Sequence, residues 1–196
     1  MLKKLLLSLA LVGSLFAQHD ASLNLNSDDI EVNGNIDLGE LNQSDYPDTY
    51  FLTLGFLDVD NDDYSTDPMW SAGFKLRQDV EALEGLRIGL GFKGVYTEVR
   101  GSTFTAIPLG LEAAYTLPLD FSMPIVISGN FDYAPSVLSF SDADKYMEKR
   151  LEASIQIIEQ ANIFIGYRSI DTDYDNSLGD VEYTDNHWYV GFKVRF

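Results

Sequence analysis

An unbroken alternation of apolar and polar residues over 187–196 constrains the fold of this chain most strongly. Lys193 and Arg195 share one face of an extended segment in this stretch. The opposite face is wholly apolar and consists of Trp188, Val190, Phe192, Val194 and Phe196. One apolar face, one charged face and a final aromatic residue are typical of the closing strand of an outer-membrane β-barrel. We therefore expect lipid on one side of this strand and a lumen on the other.

The same five apolar residues are predicted to form an assembly signal. The barrel assembly machinery would recognise them through this strand, so it is an expected partner. Outer-membrane lipids and lipopolysaccharide are the other expected partners, and a soluble edge strand is the alternative interpretation of the alternation.

The amino-terminal residues predict export to the envelope of a Gram-negative bacterium. Lys3 and Lys4 precede an apolar core over 5–15, and Ala17 is a small residue at a plausible cleavage site. We predict a signal peptide at 1–17 and a barrel at 18–196. The apolar core is too short for a membrane-spanning helix, which needs about 20 apolar residues, and no other stretch is longer. A helical membrane protein is therefore not expected.

Composition excludes several other classes. The chain has 31 acidic and 13 basic residues, and removal of Lys3 and Lys4 leaves 31 against 11, a net charge of −20. Nucleic-acid binding needs a basic surface, so it is not expected. The absence of cysteine excludes disulfides, lipidation at cysteine and thiolate metal sites. No cofactor is predicted.

Period-2 alternation recurs along the chain and predicts nine strands. They are 30–38, 49–58, 70–77, 86–96, 104–115, 124–133, 146–157, 162–171 and 187–196. An up-and-down antiparallel barrel of one chain needs an even number of strands. Residues 21–26 supply the tenth, because Leu23 and Leu25 alternate with polar residues ahead of a turn. We predict ten strands; eight is the alternative, if 21–38 is partly a plug or tail.

The predicted connections differ in length and charge between the two ends of the barrel. External connections at 59–68, 98–103, 134–145 and 172–186 are mostly long, and periplasmic ones near 42–48, 79–85, 117–123 and 158–161 are mostly shorter. Acidic residues crowd into the first and last of the external connections. Asp58 to Asp63 has the carboxylate density of a cation-binding loop without the EF-hand spacing. A solvated acidic loop is favoured over a weak divalent-cation site.

The polar face of the strands predicts a charged lumen. The inward charged residues are Lys75, Arg77, Arg87, Lys93, Glu112, Asp132, Glu148, Arg150, Glu152, Arg168, Lys193 and Arg195. In a narrow barrel such charges pair and fill the interior, because an isolated buried charge is costly. The alternative is a small channel for anionic solutes, which inward glycines such as Gly89 and Gly91 leave room for. The favoured interpretation is the paired interior.

Only two histidines offer a base for catalysis, His19 and His187. His187 is predicted at the external end of the last strand, where the strand register would bring it near Ser169 on the neighbouring strand. This pairing of a histidine with a serine is the one arrangement that suggests a lipid-modifying enzyme. A histidine at a membrane rim is more often interfacial, so we expect no enzyme, no catalytic residue and no metal site in the barrel.

Several short segments together resemble the YfaZ family of outer-membrane proteins. They are 91–97 (GFKGVYT), 131–139 (FDYAPSVLS), Tyr146 with Glu148, 166–168 (GYR) and 189–196. The match covers most of the second half of the chain and fades before Leu86. The resemblance implies a small barrel described as porin-like, with no established substrate and no catalytic residues. The longer acidic loop after Leu57 departs from the family.

These observations predict an all-β protein, a transmembrane antiparallel β-barrel. Its expected function is that of a porin-like protein with a narrow channel for small solutes or ions. The alternative is a non-conducting structural or adhesive barrel with acidic surface loops.

Overall fold

The computed structural model describes residues 19–41, 47–59, 67–99, 101–119, 123–174 and 182–196. The signal peptide predicted at 1–17 lies outside these residues. So does most of the acidic stretch after Asp58, from Asp60 onward.

In the described part of the chain, ten strands form a closed antiparallel ring, as predicted, and two shorter strands lie outside it. The ring strands are β1 (Asp20–Leu25), β2 (Asp29–Asp37), β3 (Tyr50–Val59), β4 (Met69–Asp79), β5 (Leu86–Val99), β7 (Leu109–Thr116), β8 (Ile125–Ala134), β10 (Ala143–Ile158), β11 (Ala161–Tyr174) and β12 (Glu182–Arg195). The extra strands are β6 (Ser102–Ala106) and β9 (Ser139–Ser141). The tenth ring strand is β1, so the segment predicted at 21–26 belongs to the barrel wall and the eight-stranded alternative is wrong.

Pairing of β1 with β12 closes the ring. His19 N–H donates to the Phe196 carbonyl at 2.8 Å, and Phe196 N–H donates back at 2.9 Å. We call the end of the barrel where these residues meet the proximal end and the opposite end the distal end. A short helix α1 (Leu38–Leu41) follows β2 at the proximal end.

The segment predicted as one strand over 104–115 is interrupted at Ile107 and Pro108, which is a correction to the sequence analysis. Both β6 and β7 pair with β5 in one register, but Pro108 has no N–H to continue the ladder. On their other side, β7 pairs with β8 whereas β6 pairs with β9. On the distal side of the interruption, β6 therefore separates from the path of β7 and pairs with β9 instead of β8.

The distal connections also differ from their predicted bounds. The one expected at 98–103 is shorter, because β5 continues to Val99 and β6 begins at Ser102. Gly101 has a φ of 80°, which favours glycine. The one expected at 134–145 contains a 3-10 helix (Ser136–Leu138) and β9. Strand β11 continues to Tyr174 and β12 begins at Glu182, so the last connection is shorter than 172–186.

Alternate side chains point outward and make a band of large apolar residues around the barrel. Leu109 is 59% exposed, Leu151 58% and Trp188 67%, as expected for residues that face lipid. Trp188, Val190 and Phe192 lie on this outer face, and Tyr189 between them is buried inside. Among the described residues, no helix combines the length and the hydropathy needed to cross a bilayer.

Candidate functional site: a layered barrel interior

Arg150 on β10 connects opposite walls of the lumen. Its guanidinium donates to both oxygens of Glu31 on β2, at 2.9 and 2.7 Å, and to Glu148 Oε1 at 2.7 Å. The paired nitrogens of arginine match the two oxygens of a carboxylate, so this contact fixes geometry as well as charge. Glu31 and Arg150 are 119 residues apart in the chain, and only closure of the ring brings them together.

Glu148 extends this contact towards β5 and β8. Lys93 pairs with Glu148 and also with Asp132, where the Nζ–Oδ2 distance is 3.1 Å. Tyr146 donates its hydroxyl to Glu148 Oε2 at 2.8 Å. Both carboxylates are buried, so Lys93 offsets charge that the interior could not hold alone.

Arg168 on β11 is 1% exposed and lies among three carboxylates. It donates to Asp185 at 2.5 Å, to Glu31 at 2.9 Å and to Asp29. Strand register places Arg168 directly opposite Arg150. Two like charges in these positions of a β-ladder would repel each other. Glu31 accepts hydrogen bonds from both arginines, and this shared carboxylate makes the pairing tolerable. We call the whole set the charged layer; it consists of Asp29, Glu31, Lys93, Asp132, Glu148, Arg150, Arg168 and Asp185.

A second layer of apolar side chains fills the lumen on the distal side of the charged layer. Phe104 on β6 is completely buried, and its ring centroid lies 6.0 Å from that of Tyr146 and 5.2 Å from that of Tyr174. Strand β6 thus reaches across to β10 and β11. We call this set the distal apolar layer; its members are Leu57, Met69, Val95, Val99, Phe104, Ala106, Ala134, Ala143, Tyr146, Ile170 and Tyr174.

The proximal side of the charged layer is a polar cavity of about 710 Å³. Lys75 and Arg77 reach Glu112 there, at 2.5 and 2.7 Å, across the backbone of β5. A Cβ at Gly89 would lie 3.2 Å from Cβ of Glu112 and 3.4 Å from Cγ of Arg77, so glycine gives these side chains room to cross. Within the described residues, Lys193 and Arg195 make no ion pair and face this cavity.

The predicted lumen charges lie in the cavity wall, in the charged layer or in both. Arg168 lies in the charged layer beyond the cavity, and the other eleven line the cavity wall. These eleven are Lys75, Arg77, Arg87, Lys93, Glu112, Asp132, Glu148, Arg150, Glu152, Lys193 and Arg195. Four of them, Lys93, Asp132, Glu148 and Arg150, also belong to the charged layer. Arg87 pairs with exposed Asp79 at the proximal mouth at 2.8 Å, and Glu152 accepts from Tyr189 at 2.7 Å.

The acidic partners on β2 and at the distal part of β12 were not among the lumen charges predicted from the sequence. Asp29, Glu31 and Asp185 carry much of the charged layer. The signal was present in β2, where Asp29, Glu31, Asn33 and Asn35 alternate with apolar residues in the pattern that identified the other inward faces.

Ser169 lies one residue away from the position directly opposite His187. Register places Arg168 opposite His187, and Ser169 pairs with Asn186 instead. Within the described residues, the close polar partners of His187 are the carboxylates of Asp28, Asp29 and Asp185. The serine–histidine contact that suggested a lipid-modifying enzyme is therefore absent from the described part of the chain.

A ten-stranded antiparallel ring with an apolar outer band and a polar interior defines an outer-membrane β-barrel protein. The family profile described as YfaZ precursor matches residues 6–196, so the chain belongs to the YfaZ family. This match extends well upstream of Leu86, where the resemblance seen in the sequence faded.

Solved structures with a similar fold are distant in sequence. The outer-membrane protein Omp33 of Acinetobacter baumannii is 8% identical with a TM-score of 0.40, and the match covers 93% of this chain and 99% of that one. OmpT of Vibrio cholerae is 10% identical with a TM-score of 0.34, and the match covers 90% of this chain and 64% of that one. No curated protein sequence matches the chain.

Proposed function

We propose that the protein is a barrel of the Gram-negative outer membrane whose lumen is closed to solutes at rest. The observation that carries this proposal is the pair of stacked layers across the interior. No member of the distal apolar layer lines the proximal cavity, so among the described residues the cavity ends at the charged layer. This favours the non-conducting structural barrel over the open porin-like channel.

The meeting of the outer ends of β1 and β12 at the proximal end supports the orientation in the membrane, where His19 and Phe196 exchange backbone hydrogen bonds. In a single-chain outer-membrane barrel with an even number of strands, the first and last strands have these ends on the periplasmic side. The proximal cavity would then open to the periplasm. In this arrangement the outer band contacts lipid, lipopolysaccharide surrounds the distal rim, and β12 offers the assembly machinery its apolar face. We also propose that the barrel has no enzymatic activity.

A narrow gated channel is the second candidate. The proximal cavity favours it, because Lys193 and Arg195 line this cavity without an ion pair to any described residue, and such inward cations attract small anions. Conduction would require the distal apolar layer to move and the contacts of Arg150 with Glu31 and Glu148 to break.

Single cysteines can test closure, since the chain contains none of its own. Ser128→Cys lies in the cavity, Ser27→Cys in the distal turn, and Glu84→Cys in a proximal turn as the control. Each variant is reconstituted in liposomes and treated from outside with a small membrane-impermeant methanethiosulfonate. Barrels that insert in opposite orientations expose opposite ends to the reagent. If the lumen is closed, Ser128→Cys and Glu84→Cys should be labelled in the same fraction of barrels. This fraction and the labelled fraction of Ser27→Cys should then add up to all of the barrels.

Complete labelling of both Ser128→Cys and Glu84→Cys from outside would show that the reagent passes through the lumen, because reagent that enters the liposome also reaches the proximal turn. That result would overturn the closed barrel and favour the channel. Complete reaction of all three variants in detergent is the control for intrinsic reactivity.

A further inference from the structure

Asp29, Asp185 and His187 form a cluster of metal-ligating side chains at the distal rim. Strand β1 ends at Leu25, so the first residue of β2 faces β12 directly beyond that end. One ligand atom from each of the three residues lies within 4.8 Å of the others. His187 Nδ1 contacts Asp185 Oδ1 and lies 3.6 Å from Asp29 Oδ2.

The neighbouring turn holds Asp28 and Asp29 in place. The side-chain oxygen of Asn26 accepts hydrogen bonds from the backbone N–H groups of Asp28 and Asp29, both at 2.6 Å. Asn26 also donates to Asp29 Oδ2 at 2.6 Å, and Asp28 Oδ2 lies 3.5 Å from His187 Nε2. The carboxylates are therefore positioned before any ligand arrives, which lowers the entropy cost of binding.

The buried carboxylate of Asp29 supplies an independent observation that favours cation binding. Its side chain is 2% exposed, and within the described residues its Oδ1 is buried without a hydrogen-bond partner. Buried acceptors are nearly always satisfied by protein, water or an ion. Arg168 bonds Oδ2 of both Asp29 and Asp185. Among the described residues, Oδ1 of Asp29 is left without a partner and Oδ1 of Asp185 contacts His187, the third member of the cluster.

The charge balance of the surroundings also favours a cation. The charged layer contains five carboxylates and three cationic side chains, and Asp28 adds a sixth carboxylate beside His187. The His187 side chain is 35% exposed, so an ion can reach the cluster from the distal side.

We propose that Asp29, Asp185 and His187 bind a divalent transition-metal ion at the distal rim. One imidazole nitrogen with carboxylate oxygens suits Zn²⁺, whereas Ca²⁺ and Mg²⁺ prefer all-oxygen sites. The bound ion would join β2 to β12 past the end of β1 and so stabilise the seam where the ring closes. None of the three proposed ligands belongs to the acidic stretch 58–63 considered in the sequence analysis.

Calorimetric titration of the untagged, refolded barrel with Zn²⁺ tests the proposal. We expect about one site per chain, no comparable response to Mg²⁺, and an affinity loss of more than about tenfold in His187→Gln and in Asp185→Asn. Asp144→Asn, an exposed acid on β10 near the same rim, is the matched control and should bind like the unchanged chain. Equal binding by all four proteins, or no binding by the unchanged chain, would overturn the proposal.

A measurement on the unchanged chain covers the case in which a variant fails to fold. Carbethoxylation of the two histidines is followed by mass spectrometry; His19 is buried and His187 is accessible. Zn²⁺ should slow modification of His187. An unchanged rate with saturating Zn²⁺ would contradict a site that includes this imidazole.

Discussion

Replacement of Arg168 by methionine is expected to lower the free energy of unfolding by about 3–5 kcal/mol, because it leaves buried carboxylates without their cation. Asp29 and Asp185 side chains are 2% and 1% exposed, and Arg168 bonds both of them as well as Glu31. Urea unfolding in detergent micelles with a chelator present measures the loss. The chelator prevents an added metal ion from taking the place of the guanidinium.

Lys145→Met is the matched control for this prediction. Lys145 Nζ lies 2.7 Å from Asp173 Oδ2, with both side chains 38% exposed, and such a pair contributes about 0–1 kcal/mol. Adding Asp185→Asn to Arg168→Met should recover part of the loss, since one uncompensated charge is removed. Similar losses in Arg168→Met and Lys145→Met would contradict the role of the charged layer in stability.

Replacement of Phe104 by alanine is expected to cost about 3–5 kcal/mol, the range for deleting a buried aromatic ring. Phe104 is completely buried between Tyr146 and Tyr174, so the substitution leaves a void within the distal apolar layer. Urea unfolding followed by the fluorescence of Trp70 and Trp188 measures the change.

Phe140 offers a control with the same chemistry at the same end of the barrel. It lies on β9 and is 47% exposed, so Phe140→Ala should change stability by less than about 1 kcal/mol. If Phe104→Ala were as mild as Phe140→Ala, the distal apolar layer would not be packed as described, and the closed lumen would lose its main support.

The strands could be predicted from sequence because alternation depends only on local geometry. One apolar face is enough to identify β4, β8, β11 and β12. The short strand β1 could also be predicted, because a single-chain antiparallel barrel requires an even number of strands. The break at Pro108 was not anticipated, although the missing N–H of proline is itself a local signal.

The partners of the charged layer depend on closure of the ring and could not be read from local pattern. Which inward carboxylate meets Arg150 is decided by the width of the barrel, since Glu31 lies on the opposite wall. The distal apolar layer could not be predicted from the sequence for a different reason. Val95, Val99 and Ile170 are apolar residues at inward positions, where alternation predicts polar ones.

Single-channel recording of the refolded barrel in planar bilayers tests the closed lumen most directly. The account predicts a quiet membrane with a correctly folded, heat-modifiable barrel, because the charged layer and the distal apolar layer together block the path. Steady conductance steps whose ion selectivity changes in Arg150→Ala would contradict it and would locate the constriction of an open pore at the charged layer.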